Sequence, residues 1–240
     1  MSQTSHRRIP TGIRGFDSLV EGGLFEGRLY VLSGPPGSGK TTFSTQFLVT
    51  GAKEGKNCFF LTMHETKEEL VNDMSRYDFG LDRIGGRGHI EFLNVFSDEG
   101  RRVLFGSSTT GTQSNPEVLA KRIVSFADSN NVDRVVIDSM MLLEHYFKEA
   151  SEDVSRFLTE LKQADATVIL ISEMTDPSAY TKEHYLGHGV IFMHNYLGAD
   201  GMQRGVQIVK MRGTGIDCDI RPIRFTNNGI EVDAERKLEA

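Results

Sequence analysis

The nonapeptide GPPGSGKTT, residues 34–42, carries the spacing G-x-x-x-x-G-K-[ST] in Gly34, Gly39, Lys40 and Thr41, with Gly37 as an extra hinge. Glycines at these points let successive backbone N–H groups turn inward on an anion, and a following helix adds the positive end of its dipole. The expected ligand is the phosphate chain of a nucleoside triphosphate, held by Gly34, Pro35, Pro36, Gly37, Ser38, Gly39, Lys40, Thr41 and Thr42. Lys40 would reach the terminal phosphates and the Thr41 hydroxyl would ligate Mg²⁺. Such a cradle needs an acidic partner from a neighbouring strand, and Asp138 closes the apolar run DRVVIDS. An aspartate there can also end its strand in an Asx-turn; beside a phosphate loop, the magnesium role is the better reading.

These side chains need a scaffold, and the hydrophobic pattern describes one. RLYVLSG, NCFFLTM, HIEFLNVF, DRVVIDS and ATVILISE are short β-branched or aromatic runs, apolar enough to be covered on both faces as parallel strands are. Helical patterns lie between them. Val154, Phe157, Leu158 and Leu161 form a core-facing stripe. Asn115 and Pro116 suit a helix start, and Thr66 and Glu69 have the spacing of a capping box. The alternation predicts an α/β fold with a mostly parallel twisted sheet flanked by helices. Beyond about Gly187 the pattern changes to strands joined by GADG and TNNG, which predicts C-terminal antiparallel hairpins extending the sheet.

A chain of 240 residues with no linker, repeat or low-complexity block reads as a single domain over residues 10–233, with a flexible segment at 1–9 and a polar tail at 234–240. The stretch GSSTTGTQSN, residues 106–115, reads as a mobile surface loop. The 27 Lys and Arg against 33 Asp and Glu leave a formal charge of -6, which argues against a polyanion engaging the whole surface. Cys58 and Cys218 are far apart and lack metal-binding spacing, so neither a disulfide framework nor a zinc site is expected. With no membrane-spanning run and no signal peptide in MSQTSHRR, the expected location is the cytoplasm.

Taken together, PTGIRGFDSLVEGGLFEGRLYVLSGPPGSGKTTFSTQFL, VVIDS and KMRGTG resemble the KaiC-like branch of the RecA superfamily, from about Pro10 to Val232. The resemblance implies a RecA-like P-loop NTPase core, ATP with Mg²⁺ as ligands, and homo-oligomeric rings, often hexamers, with ATP at the subunit interfaces. It also implies that Lys210 and Arg212 of KMRGTG reach the γ-phosphate of a neighbouring subunit. A cation supplied in trans would neutralise charge developing in the transition state. Two basic side chains on an edge strand can also simply discourage aggregation.

The chain departs from that family where catalysis is at stake. After the second strand the family usually carries two adjacent glutamates, the first resembling the general base; here LTMHET puts His64 first and Glu65 second. Beside Lys40 and Mg²⁺ an imidazole is a poor proton acceptor. Glu65 could take over, although alternation sends strand neighbours to opposite faces. The expectation is tight ATP binding with slow hydrolysis. Near EHYLGHGVIFMHN, His184, His188 and His194 read as loop and strand-edge histidines rather than metal ligands. Ser172 and Glu173 end a strand where the superfamily often senses the γ-phosphate, and could couple it to a loop from Met174 to Tyr185. Tyr180 and Tyr185 in that loop are expected to pack on the body, and its single Lys182 against Asp176 and Glu183 is poor chemistry for DNA. Ser107, Ser108, Thr109 and Thr110 offer hydroxyls, but autophosphorylation is not expected.

The leading expectation is therefore an ATP-dependent signalling or assembly switch. The alternatives are a DNA-repair accessory ATPase that binds single strands, and a non-hydrolysing scaffold for an unidentified protein partner.

Overall fold

Side chains alternate across the central strands, so a strand apolar along its whole length fills two cores at once. Phe60 and Val136 point into one hydrophobic cluster, while Phe59, Leu61, Val135 and Ile137 point into a second. The computed structural model describes residues 7–63, 65–84, 88–105, 115–141, 150–198 and 201–238. Its strands in chain order are β1 (Arg8–Ile9), β2 (Leu24–Phe25), β3 (Leu29–Gly34), β4 (Asn57–Thr62), β5 (His89–Asn94), β6 (Arg134–Asp138), β7 (Thr167–Glu173), β8 (Gly189–Gly198), β9 (Gly201–Met211), β10 (Arg221–Thr226) and β11 (Gly229–Val232). The helices are α1 (Phe16–Leu19), α2 (Lys40–Lys53), α3 (Lys67–Met74), α4 (Asp98–Phe105), α5 (Pro116–Ser129), α6 (Ala150–Leu161) and α7 (Lys182–Leu186), with a 3₁₀ turn at Leu81–Arg83.

The main sheet has the order β11-β10-β9-β8-β3-β7-β6-β4-β5. From β8 to β5 neighbouring strands are parallel; β9, β10 and β11 continue it antiparallel. This is the expected α/β sheet with its C-terminal hairpins, and β8 joins the two parts by pairing with β3 on one side and β9 on the other. Phe43 and Phe47 of α2 fill one core against Tyr30 and Leu32. Leu119 and Ile123 of α5, with Val154, Phe157, Leu158 and Leu161 of α6, fill the other. Each fully buried side chain of this size contributes about 1.5–3 kcal/mol. The predicted caps are present: Asn115 accepts from the Glu117 amide, and Thr66 and Glu69 form a reciprocal capping box.

Backbone hydrogen bonds reach into both terminal stretches of the described chain. Arg8 and Ile9, assigned from sequence to the N-terminal segment, pair with Phe25 and Leu24. The Arg8 guanidinium donates to the carbonyls of Val20 and Gly23, to Glu21 and to the Thr214 hydroxyl. In the tail, the Leu238 amide donates to the Ile220 carbonyl. A buried arginine ties the start of the domain to its centre: Arg134 of β6 donates to the carbonyls of Pro10 and Phe47 and to the Glu54 carboxylate. A buried guanidinium with fewer partners would be strongly destabilising.

The segment read as a loop from Met174 to Tyr185 runs into α7, whose histidine is a core residue rather than an edge one. His184 is 3 % exposed. Its Nδ1 accepts from the amide and hydroxyl of Thr181, which leaves the proton on Nε2, 2.7 Å from Ser33 Oγ. A second proton would place an N–H against the Thr181 amide, and burial holds the imidazole below its ordinary pKa. Burial acts in the same direction on His188 and His194. Because the folded values lie below the unfolded value of about 6.5, the stability they support is complete above that pH and is lost as pH falls below it. The melting midpoint should therefore drop from pH 7 to pH 5, with a shallower drop in His184→Gln; equal slopes in the two proteins would contradict the assignment. The tyrosines correct another expectation. Tyr180 and Tyr185 are 53 % and 64 % exposed, and the Tyr180 ring meets those of buried His184 and of Tyr185, so the body covers the pair only in part.

Candidate functional site

The strand β3 ends at Gly34 and the chain re-enters helix at Lys40, so residues 35–39 form the turn between a buried strand and α2. Two glycines have no substitute here. A side chain at Gly34 (φ 151°) would lie 2.3 Å from the Met193 carbonyl of β8, and one at Gly39 (φ 104°) would lie 2.5 Å from the Phe225 ring of β10. The loop is thus pressed against the strands beyond β3, and Asn195 of β8 reaches it with Nδ2 at 3.4 Å from the Pro36 carbonyl. The Ser38 hydroxyl is buried and has no hydrogen-bond partner among the described residues. An orphaned donor inside a glycine turn at a helix N-terminus fits an anion such as phosphate.

Lys40 is 6 % exposed. Its ammonium donates to the Gly34 carbonyl at 2.8 Å, the Pro35 carbonyl at 3.0 Å and Glu173 Oε2 at 3.1 Å. Beside it, Thr41 Oγ1 donates to Asp138 Oδ2 at 3.1 Å. The hydroxyl of the first helical turn and the carboxylate ending β6 thus meet as a hydroxyl–carboxylate oxygen pair, the donor set suited to Mg²⁺. No group of three or more His, Cys, Asp or Glu side chains placed to hold a metal ion occurs among the described residues.

The structure brings together Lys40, Thr41, Asp138 and Glu173. It holds Lys210 and Arg212 elsewhere, around the C-terminal end of α7. Lys210 Nζ donates to the carbonyls of His184, Tyr185 and Gly187, and Arg212 to that of Tyr185. Burial, followed by the neighbouring Arg212 and Lys162, brings Lys210 down to about 8. Arg212 is exposed. The two clusters are linked through β7, where Ser172 donates to the buried Glu183 of α7 while its neighbour Glu173 holds Lys40. Glu65 is fastened by its backbone, its amide to Thr62 and its carbonyl to Asn94. His64 and the hydroxyls of Ser107, Ser108, Thr109 and Thr110 lie outside the described residues.

Sequence reasoning missed Asn195 and the roof supplied by Phe225, for which no local signal exists. It also left Gln46 unassigned, although a glutamine inside an apolar helix face is a signal. Gln46 takes the Ile230 amide on Oε1 and donates to the carbonyls of Asn228 and Ile230, fastening α2 to β11.

Comparison with known proteins gives a consistent picture. The family model described as "ATPase: KaiC" matches residues 9–237. The circadian clock oscillator protein KaiC of Parathermosynechococcus lividus is 30% identical over 238 residues, covering 94% of this chain and 43% of that protein. The circadian clock protein KaiC3 of Synechocystis is 28% identical over 215 residues, covering 86% of this chain and 41% of that protein. The chain thus spans less than half the length of these relatives. Among solved structures, a KaiC-like protein of the hyperthermophilic archaeon Pyrococcus horikoshii superposes with a TM-score of 0.75 at 30% identity, covering 94% of this chain and 98% of that one.

Proposed function

The chain belongs to the KaiC ATPase family, and from that premise we propose that it binds ATP with Mg²⁺ at residues 34–42 and hydrolyses it slowly, its nucleotide state acting as an assembly or signalling switch in a ring of identical subunits. The observation that carries the reading is the Thr41–Asp138 pair at 3.1 Å, set at the start of α2 beside the buried ammonium of Lys40. Bound Mg²⁺ supplies charge neutralisation and a Lewis acid for phosphoryl transfer. Thr41 and Asp138 would hold it. The loop amides and the Ser38 hydroxyl receive phosphate oxygens, and Lys40 supplies a fixed positive charge where negative charge develops.

Arg212, exposed at the end of β9, and Lys210 are the cations one copy would present to the nucleotide of the next. If they act in trans, a mixture of Lys40→Ala and Arg212→Ala subunits should hydrolyse ATP although neither does so alone, because some interfaces then carry both intact halves. A mixture as inactive as its components would contradict the trans assignment.

One observation favours a second reading. The exposed pair Tyr180 and Tyr185 beside Arg212 offers faces on which bases could stack. A salt-sensitive affinity for single-stranded DNA in the presence of ATP would support it, and absence of binding at low salt would remove it.

A further inference from the structure

An ammonium has three protons to donate, and all three of Lys40's are used within this chain. Two go to carbonyls of the loop, which fix where the ammonium sits. The third goes to Glu173, the only charged partner of the three, placed by strand register: Glu173 of β7 lies directly opposite Gly34 of β3. The lysine side chain is 6 % exposed and the glutamate 28 %, so the pair faces the site with the lysine buried and the carboxylate on the open side. Burying the ammonium without a counter-ion would be costly. The same carboxylate, however, is a poor neighbour for an incoming polyphosphate, which must take the same proton and carries the same sign of charge.

We propose that Glu173 is a positioning residue, the built-in counter-ion of the phosphate-loop lysine: it holds the Lys40 ammonium in place without nucleotide, and triphosphate binding displaces it. This inference rests on the nucleotide reading above. It makes ATP binding an exchange of one anion for another on Lys40, so intrinsic phosphate affinity is set below what the loop alone would give. The displaced carboxylate is adjacent in the chain to Ser172, which is tied to Glu183 of α7. The exchange therefore occurs at the end of the strand that also anchors the helix whose carbonyls hold Lys210.

The two roles move two measurements in opposite directions. Glu173→Gln keeps the size and a hydrogen-bonding oxygen but removes the charge. It should lower the melting temperature of the nucleotide-free protein and tighten the dissociation constant for Mg-ATP by roughly tenfold, the scale of one charge-assisted hydrogen bond. Glu173→Asp, which keeps the charge on a shorter stem, should shift both in the same directions by less, and it serves if the glutamine variant fails to fold. A merely structural glutamate would lower stability and weaken binding together. A glutamate that contacts bound nucleotide favourably would weaken binding without lowering the stability of the free protein. Either outcome, or an unchanged affinity, overturns the proposal while leaving ATP binding intact. Failure of wild type and variants alike to bind Mg-ATP would overturn the nucleotide reading, and the proposal with it.

Discussion

Lys40→Ala should abolish saturable Mg-ATP binding at concentrations that saturate the wild type, a weakening of about a hundredfold or more, with hydrolysis lost in parallel. The expected size follows from where the side chain sits. A fixed ammonium next to a triphosphate supplies charge-assisted bonds of about 1.5–3 kcal/mol each. Its ammonium also donates to the carbonyls of Gly34 and Pro35, so truncation loosens the turn that aims the amides. Glu173 would be left facing the phosphates without its counter-ion. Circular dichroism and thermal melting on the same variant separate loss of binding from loss of fold. A Lys40→Ala protein that is folded and binds Mg-ATP like the wild type would remove the phosphate cradle from the account.

His64→Glu should raise the steady-state hydrolysis rate by about a hundredfold, within the range for a positioned general base, while leaving Mg-ATP affinity within about twofold. On either side of position 64, the Met63 amide donates to the Asp138 carbonyl and the Glu65 amide to the Thr62 hydroxyl. If position 64 is that of the family's general base, a carboxylate there would be kept ionised by the Lys40 ammonium and by bound Mg²⁺. An imidazole there is disfavoured as a proton acceptor by the same charges. If Glu65 already serves as the base, His64→Glu would change the rate little and Glu65→Gln would suppress it. Turnover measured for both variants distinguishes the two arrangements.

The parts legible in the sequence were those written locally. The five central strands are runs of apolar residues bounded by polar ones, and the phosphate loop is a spacing of glycines before Lys40. Caps at Thr66 and Asn115 needed only two or three residues to be seen. What escaped depended on elements meeting across the sheet. Glu173 reaches Lys40 because β7 lies beside β3 with Glu173 opposite Gly34, and no pattern in either strand specifies that order. Asn195 and Phe225 close over the loop for the same reason, through β8 and β10. The helix α7 was missed because it has five residues, and its capping partner at the fourth position is His184 instead of the usual glutamate or glutamine. Tyr180 and Tyr185 are expected to pack on the body, yet both stay more than half exposed, with only the Tyr180 ring meeting buried His184.

The central claim is that this chain binds ATP tightly and hydrolyses it slowly. The most direct test measures Mg-ATP binding and steady-state hydrolysis on one wild-type preparation, comparing the dissociation constant with the turnover number. The account predicts saturable binding with turnover well below the 1 s⁻¹ or so at which ordinary enzymes begin. Brisk turnover, at or above that rate, would contradict it and make the protein a working ATPase in which His64 or Glu65 already positions the attacking water.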